Sequence, residues 1–155
     1  MAIVLLLATV AIIARKVKKN YVPRINLSGI TIKDLNGKDV DMAGFAGKPL
    51  VINFWGTWCG PCRKELPIFD KASKKYGSAV NFLLISDEPV EKLIKFKAEN
   101  SYPFFYVQSQ QRFRDLGISS VPVTFFYDAN GNLTAKKKDP LSEEELDEFV
   151  TEMIE

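Results

Sequence analysis

Hydrophobic positions divide the chain into one long apolar run at its start and a series of short periodic segments after it. Between Ile25 and Leu35 the pattern partly alternates (Ile25, Leu27, then Ile30, Ile32), which predicts a half-buried strand. Asn36-Gly37 is a hairpin turn signal, with a second strand expected over about 38–42. Pro49 opens the continuous apolar run Leu50-Val51-Ile52-Asn53-Phe54-Trp55, the signature of a strand covered on both faces. A helix is expected from Pro61 to about Tyr76, closed by Gly77, and another buried strand over Ala79–Ile85. Pro89 suits the first position of a helix running to about Asn100; a short aromatic strand then covers 104–107, and a short helix 110–116 ends at Gly117. Val123–Tyr127, the turn Asp128-Ala129-Asn130-Gly131 and a return strand to about Lys137 make a second hairpin. The last helix fits Ser142–Ile154: Ser142 and Glu145 form a capping box, and Leu146, Phe149, Val150 and Met153 form one apolar stripe. The acidic run on its other face reads as solvated. Strands alternating with helices, then a hairpin and a closing helix, predict an α/β fold with a mixed sheet.

The opening run, Met1 to Ala14, carries no charge and is followed at once by Arg15, Lys16, Lys18 and Lys19. As a helix it would rise about 21 Å, short of the roughly 30 Å hydrocarbon core, and Val17 with snorkelling lysine stems would extend it across a thinned bilayer. It reads as a retained membrane anchor or signal segment at 1–14, with 15–24 a basic tether and 25–155 the folded domain. Basic residues on its C-terminal side favour a cytoplasmic domain by the positive-inside rule, unless residues further upstream supply positive charge there. Both orientations stay open at this point.

Composition narrows the chemistry. Twenty-one Lys and Arg against 19 Asp and Glu give a net charge of +2, no basis for nucleic-acid binding. The absence of histidine excludes Ser-His-Asp triads, Cys-His nucleophile pairs and His-ligated metals. Two cysteines, Cys59 and Cys62, remain. A zinc or iron–sulfur site would need further soft ligands that the chain lacks, and a purely structural disulfide closing so short a loop would stabilise little. Thiol–disulfide exchange needs one thiolate that attacks and a second thiol that resolves the mixed disulfide. At the start of a helix, Cys59 faces unpaired N–H groups and the positive end of the dipole, which lower its pKa; Cys62, a turn further in, is shielded and suits the resolving role.

The segment Phe54-Trp55-Gly56-Thr57-Trp58-Cys59-Gly60-Pro61-Cys62-Arg63-Lys64-Glu65-Leu66-Pro67 resembles the active-site segment of thioredoxin-like proteins. It is most similar to the membrane-tethered, extracytoplasmic thiol–disulfide reductases of the TlpA/ResA group. The resemblance covers about 25–155 and includes the extra N-terminal hairpin, the motif, a βα insertion at 89–108 and Val121-Pro122-Val123-Thr124. It implies a thioredoxin fold, a redox-active Cys59–Cys62 pair and no organic cofactor. It also implies a cis Pro122 beside the disulfide, Val121 offering backbone hydrogen bonds to an extended substrate, and substrate contact by Trp58, Gly60 and Pro61. The implied partners are exported proteins with disulfides, such as apocytochromes c, and a membrane thiol donor of electrons.

Thioredoxins carry an Asp where this chain has Asn53, so that general base is missing. Glu65 matches a Glu of the ResA subgroup and falls one helical turn from Cys62, a candidate for the acid–base role. The alternative for Glu65 is an exposed first-turn residue favoured by the helix dipole. Three other readings remain: a general thioredoxin facing the cytosol, a non-catalytic binding module on the same fold, and a peroxidase. No Pro-x-x-x-Thr-x-x-Cys segment precedes Cys59 to support the last.

Overall fold

The computed structural model describes residues 27–155. The expected anchor at 1–14 and tether at 15–24 lie outside the described residues. Among the described residues no helix is long and apolar enough to cross a membrane.

Seven strands form one mixed sheet: β1 (Ile32–Asp34), β2 (Asp39–Val40), β3 (Leu50–Phe54), β4 (Asn81–Ser86), β5 (Phe105–Ser109), β6 (Val123–Tyr127) and β7 (Leu133–Lys138). Their order is β2-β1-β5-β4-β3-β6-β7. β3, β4 and β5 run parallel, and the remaining pairings are antiparallel. β3 lies near the middle and is buried at every position, as its unbroken apolar run requires. Alternate side chains enter two cores: Val51 and Trp55 on one face, Leu50, Ile52 and Phe54 on the other. The three α-helices among the described residues, α1 (Gly60–Tyr76), α2 (Val90–Glu99) and α3 (Glu143–Ile154), pack on the first face. The second is covered by 3-10 turns at Leu27–Gly29, Met42–Phe45 and Phe113–Leu116.

α1 buries Cys62, Glu65, Leu66, Phe69 and Ala72, spaced to keep one stripe on the sheet. Its outer cations are neutralised in the C-terminal half: Lys74 reaches Asp70, while Lys71 and Lys75 reach Glu143 and Asp147 of α3. The acidic face of α3 is therefore partly an ion-paired seam and not a wholly solvated surface. The α3 capping box forms as read, with Glu145 N donating to Ser142 Oγ and Ser142 N to Glu145 Oε2.

Several boundaries differ from expectation. The alternation at 25–35 becomes a 3-10 turn and a three-residue strand, and the second strand shortens to Asp39–Val40. The hairpin turn stands where Asn36-Gly37 placed it, with Gly37 at φ +81°. Pro61 is the second residue of α1, since Gly60 comes first, and Pro89 caps α2 instead of opening it because its carbonyl accepts from Lys92 N. The helix expected at 110–116 contracts to a 3-10 turn at Phe113–Leu116. Gln110 N donates to Thr31 O, and the Gln111 side chain bridges Thr31 N and Gly29 O, holding these residues extended.

Candidate active site

The turn after β3 delivers the two cysteines. Cys59 N donates to Gly56 O and closes the loop; Cys59 is then the N-cap of α1, and its Sγ accepts from Cys62 N at 3.2 Å. Side chains that accept at this position satisfy donors the helix leaves unpaired, so the sulfur stands where negative charge is favoured. Cys59 and Cys62 are joined as a disulfide with Cα atoms 5.2 Å apart. Cys62 has no exposed surface and Cys59 has 4%.

Trp58 precedes the disulfide and is 69% exposed. Its indole lies over Gly56, where a Cβ would stand 2.6 Å from Nε1, so only glycine leaves room for this ring position. Opposite, the Val121–Pro122 bond is cis, and Val121 O lies 3.8 Å from Cys59 Sγ. Pro122 is buried. Cys59, Val121 and Pro122, far apart in sequence, are thus brought together; Gly60 and Pro61 form the first turn of α1 beside them.

Glu65 is 1% exposed, which overturns the reading of an exposed first-turn carboxylate. Its Oε1 accepts from Asn53 Nδ2 at 2.9 Å and its Oε2 from Leu141 N at 3.0 Å. Asn53 Nδ2 also donates to Thr124 Oγ1, while Asn53 Oδ1 is buried without a hydrogen-bond partner. Among the described residues no cation forms an ion pair with Glu65. Burial therefore pushes the Glu65 carboxyl up from 4.5 to about 7, against the opposing pull of the Leu141 and Asn53 hydrogen bonds. An acid that titrates near neutrality can give or take a proton there.

Sequence reasoning missed Glu88. This carboxylate is 6% exposed; Oε2 accepts from Thr57 N at 2.6 Å and Oε1 from Thr57 Oγ1 at 2.9 Å, two residues before Cys59. Ser86 Oγ lies 3.4 Å from Oε2, and Lys92 Nζ is 3.5 Å from Oε1. Glu88 ties the cysteine loop to the end of β4. Its only sequence signal was an acidic residue before a helix, which most such positions share.

The Redoxin family model matches residues 17–152. This chain belongs to the Redoxin family. Within it, the chain is a thioredoxin-like protein disulfide oxidoreductase of the ResA/TlpA group. It is 28% identical over 124 residues to the thiol-disulfide oxidoreductase ResA of Bacillus thuringiensis, covering 77% of this chain and 71% of that protein. It is 32% identical over 109 residues to the thioredoxin-like protein YneN of Bacillus subtilis, covering 65% and 62%. Among solved structures, a secreted Mycobacterium tuberculosis disulfide oxidoreductase homologous to Escherichia coli DsbE superposes with a TM-score of 0.68 at 26% identity, covering 81% of this chain and 96% of that one. A DsbE-like interchange protein of Chlorobium tepidum gives 0.73 at 20%, covering 86% and 99%.

Proposed function

We propose that this oxidoreductase works as a reductase of disulfides in exported proteins, apocytochromes c among them, without an organic cofactor. In the dithiol form, the Cys59 thiolate attacks one sulfur of the substrate disulfide, forming a mixed disulfide and releasing a substrate thiolate. The Cys62 thiolate then attacks Cys59 Sγ, releases the second substrate thiolate and closes the Cys59–Cys62 bond. Two electrons pass to the substrate, and a membrane thiol donor restores the dithiol by the same exchange. Val121 O and cis Pro122 would line an extended substrate beside Cys59, with Trp58, Gly60 and Pro61 on the other side. The Gly-Pro pair between the cysteines, like that of reducing thioredoxins, supports the direction. The extracytoplasmic location rests on the apolar segment 1–14 and on the secreted relative.

Glu65 takes the proton that Cys62 must lose before it resolves the mixed disulfide, in the place where thioredoxins use an aspartate. The observation that carries this reading is a buried carboxylate one turn below Cys62, raised to about 7 and held, among the described residues, by neutral donors. The direction is tested by the reduction potential of the pair against glutathione. A value near thioredoxin's roughly −270 mV fits a reductase, and one near the roughly −120 mV of DsbA makes the protein a disulfide donor. The Glu65→Gln variant tests the proton transfer: resolution of the mixed disulfide should slow about 10- to 100-fold and lose its pH dependence near 7. Unchanged rates and unchanged thiol pKa values would refute the role.

A further inference from the structure

The cations of α1 are sorted by position. Those of its C-terminal half meet carboxylates, whereas Arg63 and Lys64 in the first turns are exposed and form no ion pair among the described residues. Arg63 N donates to Cys59 O, so this pair begins one turn from the attacking sulfur. Gly60, Arg63 and Lys64 share one face by their i, i+3, i+4 spacing. That face forms a wall of a groove of about 440 Å³ whose other side is Phe96, Asn100 and Tyr102. The groove continues past Arg63 and Phe96 into a second hollow of about 290 Å³ that adds Thr57, Lys92, Lys95 and Glu99. Of the ionisable groups along it, four are cations and only Glu99 is acidic. Lys95 holds Glu99 loosely, at 3.9 Å, and such an exposed pair is worth little, whereas Lys92 stands 3.5 Å from the buried Glu88 and keeps its own ammonium largely exposed. A Cβ at Gly60 would meet open space, beside Cys59 and along the groove.

We infer that this groove between α1 and α2 binds an acidic segment of the protein whose disulfide is exchanged at Cys59. A chain leaving the mixed disulfide on the Gly60 side reaches Arg63 and Lys64 within two to three residues at about 3.3 Å each. Carboxylates there meet Arg63 and Lys64, which have no ion-pair partner among the described residues, next to aromatic rings that support the segment's apolar stems. Complementarity of this kind selects partners and raises encounter rates more than it deepens affinity. The inference rests on the oxidoreductase activity and adds which partners are favoured.

The test uses three peptide disulfides that differ only in the residues following the attacked cysteine: Glu-rich, Lys-rich or Gln-rich. Turnover of the Gln-rich peptide by the reduced protein reports the oxidoreductase activity itself, and its absence would fail that reading instead of this one. Given turnover, the Glu-rich peptide should exceed the Lys-rich one in kcat/KM by about tenfold at low ionic strength, with the ratio falling toward one in about 0.5 M salt. In R63E/K64E the ratio should invert, and in K95E, which leaves the first turn of α1 intact, it should shrink. Because each variant is judged by its own ratio, altered thiol reactivity cancels. Equal rates for the two charged peptides, or a preference for the acidic one that survives R63E/K64E, would overturn the inference.

Discussion

Two buried glutamates flank the cysteine turn and are held in opposite ways. Glu88, at the end of β4, accepts from the Thr57 backbone and hydroxyl and has the Lys92 ammonium 3.5 Å away. Glu65, inside α1, accepts from the Asn53 amide and the Leu141 N–H, and no cation among the described residues offsets its burial. A buried carboxylate with neutral donors alone pays for its charge by holding its proton to about 7. The comparison separates a carboxylate that fixes a loop from one that can exchange a proton, although both are the same residue type at similar burial. Fixing the loop requires acceptors aimed at its donors; moving a proton requires a carboxyl group nearly balanced between its two forms.

The largest effect should come from sharpening the contrast with Asn53→Asp. This substitution restores the residue thioredoxins carry, but here it sets two carboxyl groups within hydrogen-bonding distance, with no cation beside them among the described residues. Like charges so placed share one proton and titrate as a pair. Ionising both should cost about 3–5 kcal/mol, a penalty on the scale of an uncompensated buried charge. Denaturant unfolding of N53D should show that loss at pH 8 and little of it at pH 5. Equal destabilisation at both values would mean that Asn53 is needed for its shape and not its neutrality.

Next in size is the pH dependence of the unaltered protein. Glu65 is raised in the fold, so between about 4.5 and 7 the folded state binds a proton that the unfolded state has released. Stability from this group is therefore greatest below about 4.5, falls as pH rises through 7, and stays lower above it, by about 3 kcal/mol in all. Midpoints of denaturant unfolding across pH 5–8 should decline in the parent and run flatter in Glu65→Gln. A parallel decline in both would place the titrating group elsewhere.

How much of this could be read from the residues depends on how local the cause is. β3 was legible because a strand covered on both faces needs an unbroken apolar run, and Leu50–Phe54 supplies one. The C-terminal end of α1 and the capping box of α3 were legible because caps are short-range chemistry at Gly77, Ser142 and Glu145, and the start of α1 was placed to within one residue. The C-x-x-C turn belongs to the same class. The segment 110–116 was misread because its backbone is held by Thr31 and Gly29, some eighty residues away. The burial of Glu65 likewise depends on Leu141, 76 residues on, and the grip of Glu88 on Thr57, 31 residues back. Helical spacing placed Glu65 beside Cys62, but only the fold shows that its neighbours are neutral.

The smallest effect tests the other half of the comparison. Glu88→Gln keeps the size of the side chain and removes its charge. One amide oxygen can accept from only one of the two Thr57 donors, and the amide nitrogen then faces the other. Loss of one charge-assisted bond should cost about 1–2 kcal/mol, concentrated in the loop before Cys59. Hydrogen exchange should report this as roughly tenfold faster exchange at the Thr57 amide, with amides of β4 changed much less. Glu88→Ala, which removes both acceptors, should speed it further. If the Thr57 amide keeps its protection in both variants, the loop is held by Gly56 and the disulfide alone. Glu88 would then have no claim to position the attacking sulfur, and the contrast with Glu65 would be one of burial without function.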